Sequence, residues 1–184
     1  MKMSVQITPA MEVIGNGVGA TLQVREVLRV LQQHEKRPVD LEAKTLHLAV
    51  KIIEMVGKAK GKKAEELALK QLKNGEARKM MQKIIKAQKG NPNIKSEDVP
   101  IGKESFDVLA TQDGKVKGID LHNINQIARR LGCPTVNEAG LYLYKKIGDT
   151  VKKGDVLYTM YANDKPKIEL AKEQKELKPA YTIG

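Results

Sequence analysis

Between Leu22 and Leu31 apolar side chains recur at three- and four-residue intervals (Leu22, Val24, Val27, Leu28, Leu31), the spacing that lines one face of a helix. The same period returns three times. Leu41, Leu48, Ala49, Ile52, Ile53 and Val56 predict a helix over 40–56, with Asp40 as its N-cap and Gly57 as its stop. Leu67, Ala68 and Leu72 predict one over 64–73, ended by Asn74-Gly75. Met80, Met81, Ile84 and Ile85 predict another over 76–89, the methionines reading as core filler. Ahead of all four, residues 3–8 alternate apolar and polar as a short strand does.

The texture changes after Gly90-Asn91-Pro92-Asn93. Beyond Pro100 the apolar runs are short and separated by turns, so the expected division is a mostly helical 1–99 and an α+β domain over 100–184. Strands are expected over 105–111 and 115–119, and Asp113-Gly114 between them is a hairpin signal. A helix over 121–131 turns Ile124, Ile127 and Ala128 inward. Strands over 141–147 and 156–161 and a charged helix over 166–177 complete the pattern. The fold class is α+β.

Three alternate glycines, Gly15, Gly17 and Gly19, precede the first helix. Glycine permits positive φ and close backbone approach, and a helix N-terminus attracts anions. Gly15-x-Gly17-x-x-Ala20 fits a loose dinucleotide fingerprint. However, Pro9 and the residues after it part the strand from Gly15, and no second strand follows the helix to aim an acid at a ribose. A structural turn is the stronger reading.

A net charge of +11 raises the question of nucleic acid. The lysines are interleaved with glutamates along helices, there is no tryptophan, and Phe106 is the single phenylalanine, so bases have few stacking platforms. No nucleic-acid partner is expected. Apolar runs are too short for a membrane span, and Cys133, the lone cysteine, rules out an internal disulfide. A cytoplasmic protein fits best.

No complete active site is legible. His34, His47 and His122 lie far apart without acids or thiols at ligand spacing, and Cys133 has no histidine partner. No cofactor motif is present. The run KKIGDTVKKGDVLYTM is similar to the hammerhead hairpin of barrel-sandwich domains, with Val151 and Leu157 plugging the core. Biotinyl and lipoyl carriers share it, and Lys165 would be their modified lysine. Pro166 directly after that lysine and the helix over 121–131 speak against a carrier, and a free-standing interaction module is the other rival.

Taken in order, GNGVGATLQVREVLRVL, KNGEARKMMQKIIKAQKGNPNI, VPIGKESFDVLATQDGKVKGID, IARRLG and AGLYLYKKIGDTVKKGDVLYTMYA resemble the C-terminal part of the thymidine and pyrimidine-nucleoside phosphorylase superfamily, its archaeal AMP phosphorylase branch above all. The resemblance implies phosphorolysis, in which phosphate attacks the anomeric carbon of AMP to give adenine and ribose 1,5-bisphosphate. Relatives do the same with thymidine or pyrimidine nucleosides. The family's phosphate loop, aspartate proton donor and base-binding segment precede the matched region. The chain is therefore expected to be silent alone, with the remainder of the phosphorylase chain and further copies in a homo-oligomer as partners. The resemblance further implies a partial monovalent-cation (potassium) site from the carbonyls of Ile14 and Gly17 and the carboxylate of Glu26. Carbonyl and carboxylate oxygens suit such a hard cation.

Overall fold

The computed structural model describes residues 3–8 and 11–184. Two compact units make up the chain, Met1–Pro9 with Glu26–Asp98, and Ala10–Arg25 with Val99–Gly184.

The first unit is helical. It contains the later turns of α1 (Ala20–Leu31), then α2 (Val39–Met55), α3 (Lys62–Lys73) and α4 (Glu76–Ala87). Val50 of α2 packs on Ala64 and Ala68 of α3, all buried, with Leu46, Ala49 and Ile53 closing around them. Small side chains at this contact let the helix axes approach. Asp40 is not the cap expected of it. Pro38 holds the N-cap position without a side-chain bond, its ring having fixed φ at −71°. The Asp40 carboxylate sits in the first turn, where the helix dipole favours it, and accepts from the N–H of Leu41 at 2.8 Å. α3 begins two residues early because Gly61 adopts φ +51°, with its N–H held by the Glu54 carboxylate at 2.9 Å.

Two further expectations fail in this unit. α4 buries none of its residues, and Met80 is 56% exposed, so that methionine is not core filler. The amphipathic pattern was legible, but this chain offers too little apolar surface to cover it. Residues 3–8 form no strand ladder and are largely exposed. Alternation alone cannot make a strand where no edge is available to pair with.

The second unit holds two antiparallel sheets. In one, β1 (Gly17–Val18), β4 (Gly140–Leu143), β6 (Val156–Ala162) and β2 (Glu104–Leu109) lie in the order β1-β4-β6-β2. In the other the order is β5-β3-β7, with β5 Thr150–Val151, β3 Gly114–Ile119 and β7 Tyr181–Ile183. The expected hairpin across Asp113-Gly114 does not form. β2 pairs with β6, while β3 pairs with β5 and β7. The turn is tied to a second turn instead of closing on itself. The Asp113 carboxylate accepts from the N–H of Lys153 at 2.7 Å, and Ala110 exchanges backbone bonds with Gly154 and Asp155.

Helices α5 (Leu121–Leu131) and α6 (Lys165–Leu177) pack on each other and against the sheet. Asp120 caps α5 by accepting from the N–H of Asn123 at 2.9 Å. Buried Asn123 donates its amide to the Lys178 carbonyl and accepts from Gln174, and Lys178 returns to Asp120 at 2.6 Å. This ring of bonds fixes the end of α6 on the start of α5. Ile124, Ile127 and Leu131 then join Leu141, Leu143 and Met160 in the core. Val151 and Leu157, the residues expected to plug it, are 1% and 4% exposed.

The aromatic part of this core carries an alkaline liability. Tyr158 and Tyr181 stack 5.7 Å apart, and the Tyr158 hydroxyl is buried without a hydrogen-bond partner among the described residues. Burial pushes both phenols well up, and burial with the nearby Tyr144 pushes Tyr161 up to about 12. The folded state therefore holds these protons when an unfolded chain releases them. Stability is whole below the ordinary phenol pKa of about 10 and falls as pH climbs through the folded values. Ultraviolet titration should show three of the five tyrosines ionising late. A single step at the ordinary phenol value would contradict this packing.

Candidate functional site

The glycine-rich turn is built by close backbone contact. Gly15 takes φ +71°, a region that side chains disfavour. A Cβ on Gly17 would lie 2.9 Å from the backbone of Leu22, and one on Gly19 would lie 2.3 Å from the Ala139 carbonyl oxygen. Between these glycines, β1 pairs with β4 at Gly17–Tyr142 and Val18–Leu141. The N–H of Leu143 donates to the Asn16 carbonyl at 2.8 Å, so the next carbonyl along, that of Gly17, points away from β4.

This is not a phosphate cradle. The N–H and the hydroxyl of Thr21, at the start of α1, both donate to the Asn137 carbonyl, at 3.2 and 3.0 Å. Two donors at this helix start are thus already engaged. No parallel strand follows α1, which removes the dinucleotide reading on topology as well.

Of the residues expected to hold a cation, Ile14 and Gly17 lie in the turn itself, Ile14 43% exposed and Gly17 buried. Glu26 lies further along α1 and is 1% exposed. Sequence reasoning missed Lys146. Its ammonium donates to the carbonyls of Val13 and Gly15, while the N–H of Ile147 donates to the Glu12 carboxylate at 3.0 Å. One of four lysines in a short loop-rich stretch carries no periodic signal that would single it out.

The other candidates recede. Lys165 is the first residue of α6, behind the Asp164 N-cap, and not the tip of a hairpin as a carrier lysine would be. Cys133 is half-buried, donates its thiol to the Ala139 carbonyl at 3.1 Å, and burial raises its pKa, so the thiolate a nucleophile needs is disfavoured. No group of three His, Cys, Asp or Glu side chains among the described residues is placed to hold a metal ion.

Residues 115–184 match the family described as pyrimidine nucleoside phosphorylase C-terminal domain. Over those residues the chain is similar to that family. An AMP phosphorylase of Methanosarcina acetivorans is 42% identical over 93% of this chain, and one of Methanosarcina barkeri 41% over the same share. A protein provisionally named thymidine phosphorylase, from Rhodopseudomonas palustris, is 38% identical over the whole chain. The chain spans about a third of the length of these curated relatives, 34% for the first two and 35% for the last. The match begins before β1, so the glycine-rich turn is a feature of the shared region. No helix of the described residues is long and apolar enough to cross a membrane.

Proposed function

We propose that the chain is the non-catalytic C-terminal portion of a cytoplasmic nucleotide phosphorylase acting on AMP. Phosphate would displace adenine from the anomeric carbon and leave ribose 1,5-bisphosphate. The observation that carries this is the identity of about 40% to AMP phosphorylases across nearly the whole chain. A pyrimidine or thymidine nucleoside is the second reading, favoured by the relative that matches all 184 residues.

In this reading residues 1–99 are the end of the α/β phosphorylase domain and 100–184 the C-terminal α+β domain, whose paired sheets form a barrel-sandwich with Val151 and Leu157 as its plugs. The rest of the phosphorylase covers the open faces of the first unit, where Ile52, Val56, Met80 and Ile84 are exposed and where Val27, Leu46, Ile53 and Met81 line an apolar groove of about 360 Å³. Further copies complete a homo-oligomer. The glycine-rich turn is a cation-holding element, with the Ile14 and Gly17 carbonyls and the Glu26 carboxylate as its oxygens. None of these groups can activate phosphate or protonate a leaving base.

The pure 184-residue chain is accordingly expected to release no adenine from AMP and phosphate, measured by chromatography. Phosphorolysis by the chain alone would overturn the assignment of a silent portion. Joined to the upstream region of a related enzyme, the same chain should support turnover.

A further inference from the structure

A groove of about 600 Å³ opens within the second unit, between the start of α1 and α5. His122, Asn125, Gln126 and Arg129 recur at three- and four-residue intervals, so they share one face of α5, and all four line the groove. Gln23 of α1 lines it with them. Ile124, Ile127 and Leu131, on the other side of α5, are buried in the core, which keeps the polar face turned outward. The walls are fixed by backbone bonds. The N–H and the hydroxyl of Thr21 both donate to the Asn137 carbonyl, and the N–H of Cys133 donates to the Ala128 carbonyl at 3.0 Å. The segment that leaves α5 thereby holds the start of α1 beside it.

The lining is rich in donors and contains no acidic side chain. Arg129 brings five N–H groups, and Gln23, Asn125 and Gln126 bring amides that both donate and accept. No salt bridge among the described residues engages the Arg129 side chain. These donors are side chains, chiefly of α5, and not the engaged start of α1. The helical rise sets Arg129 about 10 Å along α5 from His122. We infer that the groove binds an organic oxyanion of nucleotide size, a phosphate ester or a carboxylate. Its charged head lies on the Arg129 guanidinium, whose planar fork meets two oxygens of either head at once. The rest of the molecule is hydrogen-bonded along Asn125, Gln126 and Gln23, where amides suit a body such as a sugar that offers donors and acceptors together. The volume is that of a small-molecule site and far exceeds what a bare phosphate fills.

Isothermal titration calorimetry on the 184-residue chain tests this, with ribose 5-phosphate, AMP and citrate as ligands and inorganic phosphate and adenosine as fragments. At least one of the three ligands should bind more tightly than either fragment. Tightest binding of a sugar phosphate names the ester source, and tightest binding of citrate names the carboxylate source. Arg129→Gln should weaken that binding about tenfold or more, since a charge-assisted bond is lost. Arg130→Gln removes the same charge from a neighbour that does not line the groove, and should leave binding unchanged. Equal losses in the two variants would mean attraction to positive charge at large and overturn the site. So would the absence of binding by all three ligands at millimolar concentration. A second measurement needs no variant. In nuclear magnetic resonance spectra of the unaltered chain, the tightest ligand should shift the side-chain amides of Gln23, Asn125 and Gln126. Shifts confined to the lysine-rich residues 58–63 would overturn the site. Neither measurement reads adenine release, so a failure of the AMP reading would show separately.

Discussion

Alanine at Gly140 is expected to unfold the second unit or leave it barely folded. A Cβ there would sit 2.1 Å from the Val18 carbonyl oxygen and 2.8 Å from a Leu22 methyl. The nearer atom is backbone, locked in the pairing of β1 with β4, so no side-chain rotation can relieve the overlap. Gly19 meets the Ala139 carbonyl from the other direction, which leaves the two segments no room to slide apart. Forcing such an overlap costs on the order of 3 kcal/mol or more, a large share of the roughly 5–15 kcal/mol that stabilises a domain. Urea unfolding read from tyrosine gives the number. Gly118→Ala is the control, since a Cβ there meets nothing within 4 Å and its φ is ordinary. Equal midpoints for the two variants would refute the contact.

The second large effect is expected at Ile127. Its side chain is 0% exposed at the middle of α5, within the cluster that also contains Leu141, Leu143 and Met160. Ile127→Ala removes the buried methyl and methylene groups and leaves a cavity that rigid neighbours on two strands cannot fill. A loss of about 2–5 kcal/mol follows. Val24→Ala, at a site 47% exposed, should cost well under that. A loss below about 1 kcal/mol at Ile127 would mean that α5 does not pack as described.

The helices were legible because a 3.6-residue period is local. Leu28 and Leu31, or Ala68 and Leu72, announce a face whatever else the chain does. Strand pairing was not, because it is decided at long range. Asp113-Gly114 carries the composition of a hairpin turn, yet Ala110 and Asp113 bond to residues 153–155, some forty positions away. β1 escaped notice for a different reason. Two residues, one of them glycine, show no alternation, and their strand character comes wholly from β4. Three glycines revealed that the turn must be special, and the close approaches at Gly17 and Gly19 account for two of them. Lys146 gave no such sign, since a lysine in a loop reads as solvated charge until the carbonyls it meets are known.

The brevity of β1 has a bearing on solubility. A sheet edge with unpaired backbone groups invites a neighbouring molecule to add itself as one more strand, and short or charged edges discourage this. Here β1 shields the flank of β4 with only two residues, too few to template a growing stack, while the opposite edge strand β2 carries Glu104 and Asp107. The central strand β6, rich in Tyr, Val, Leu and Met, is bonded on both sides. A chain trimmed past Val18 would bare the apolar Leu141–Leu143 flank and turn a well-behaved sheet into a seed for its own aggregation.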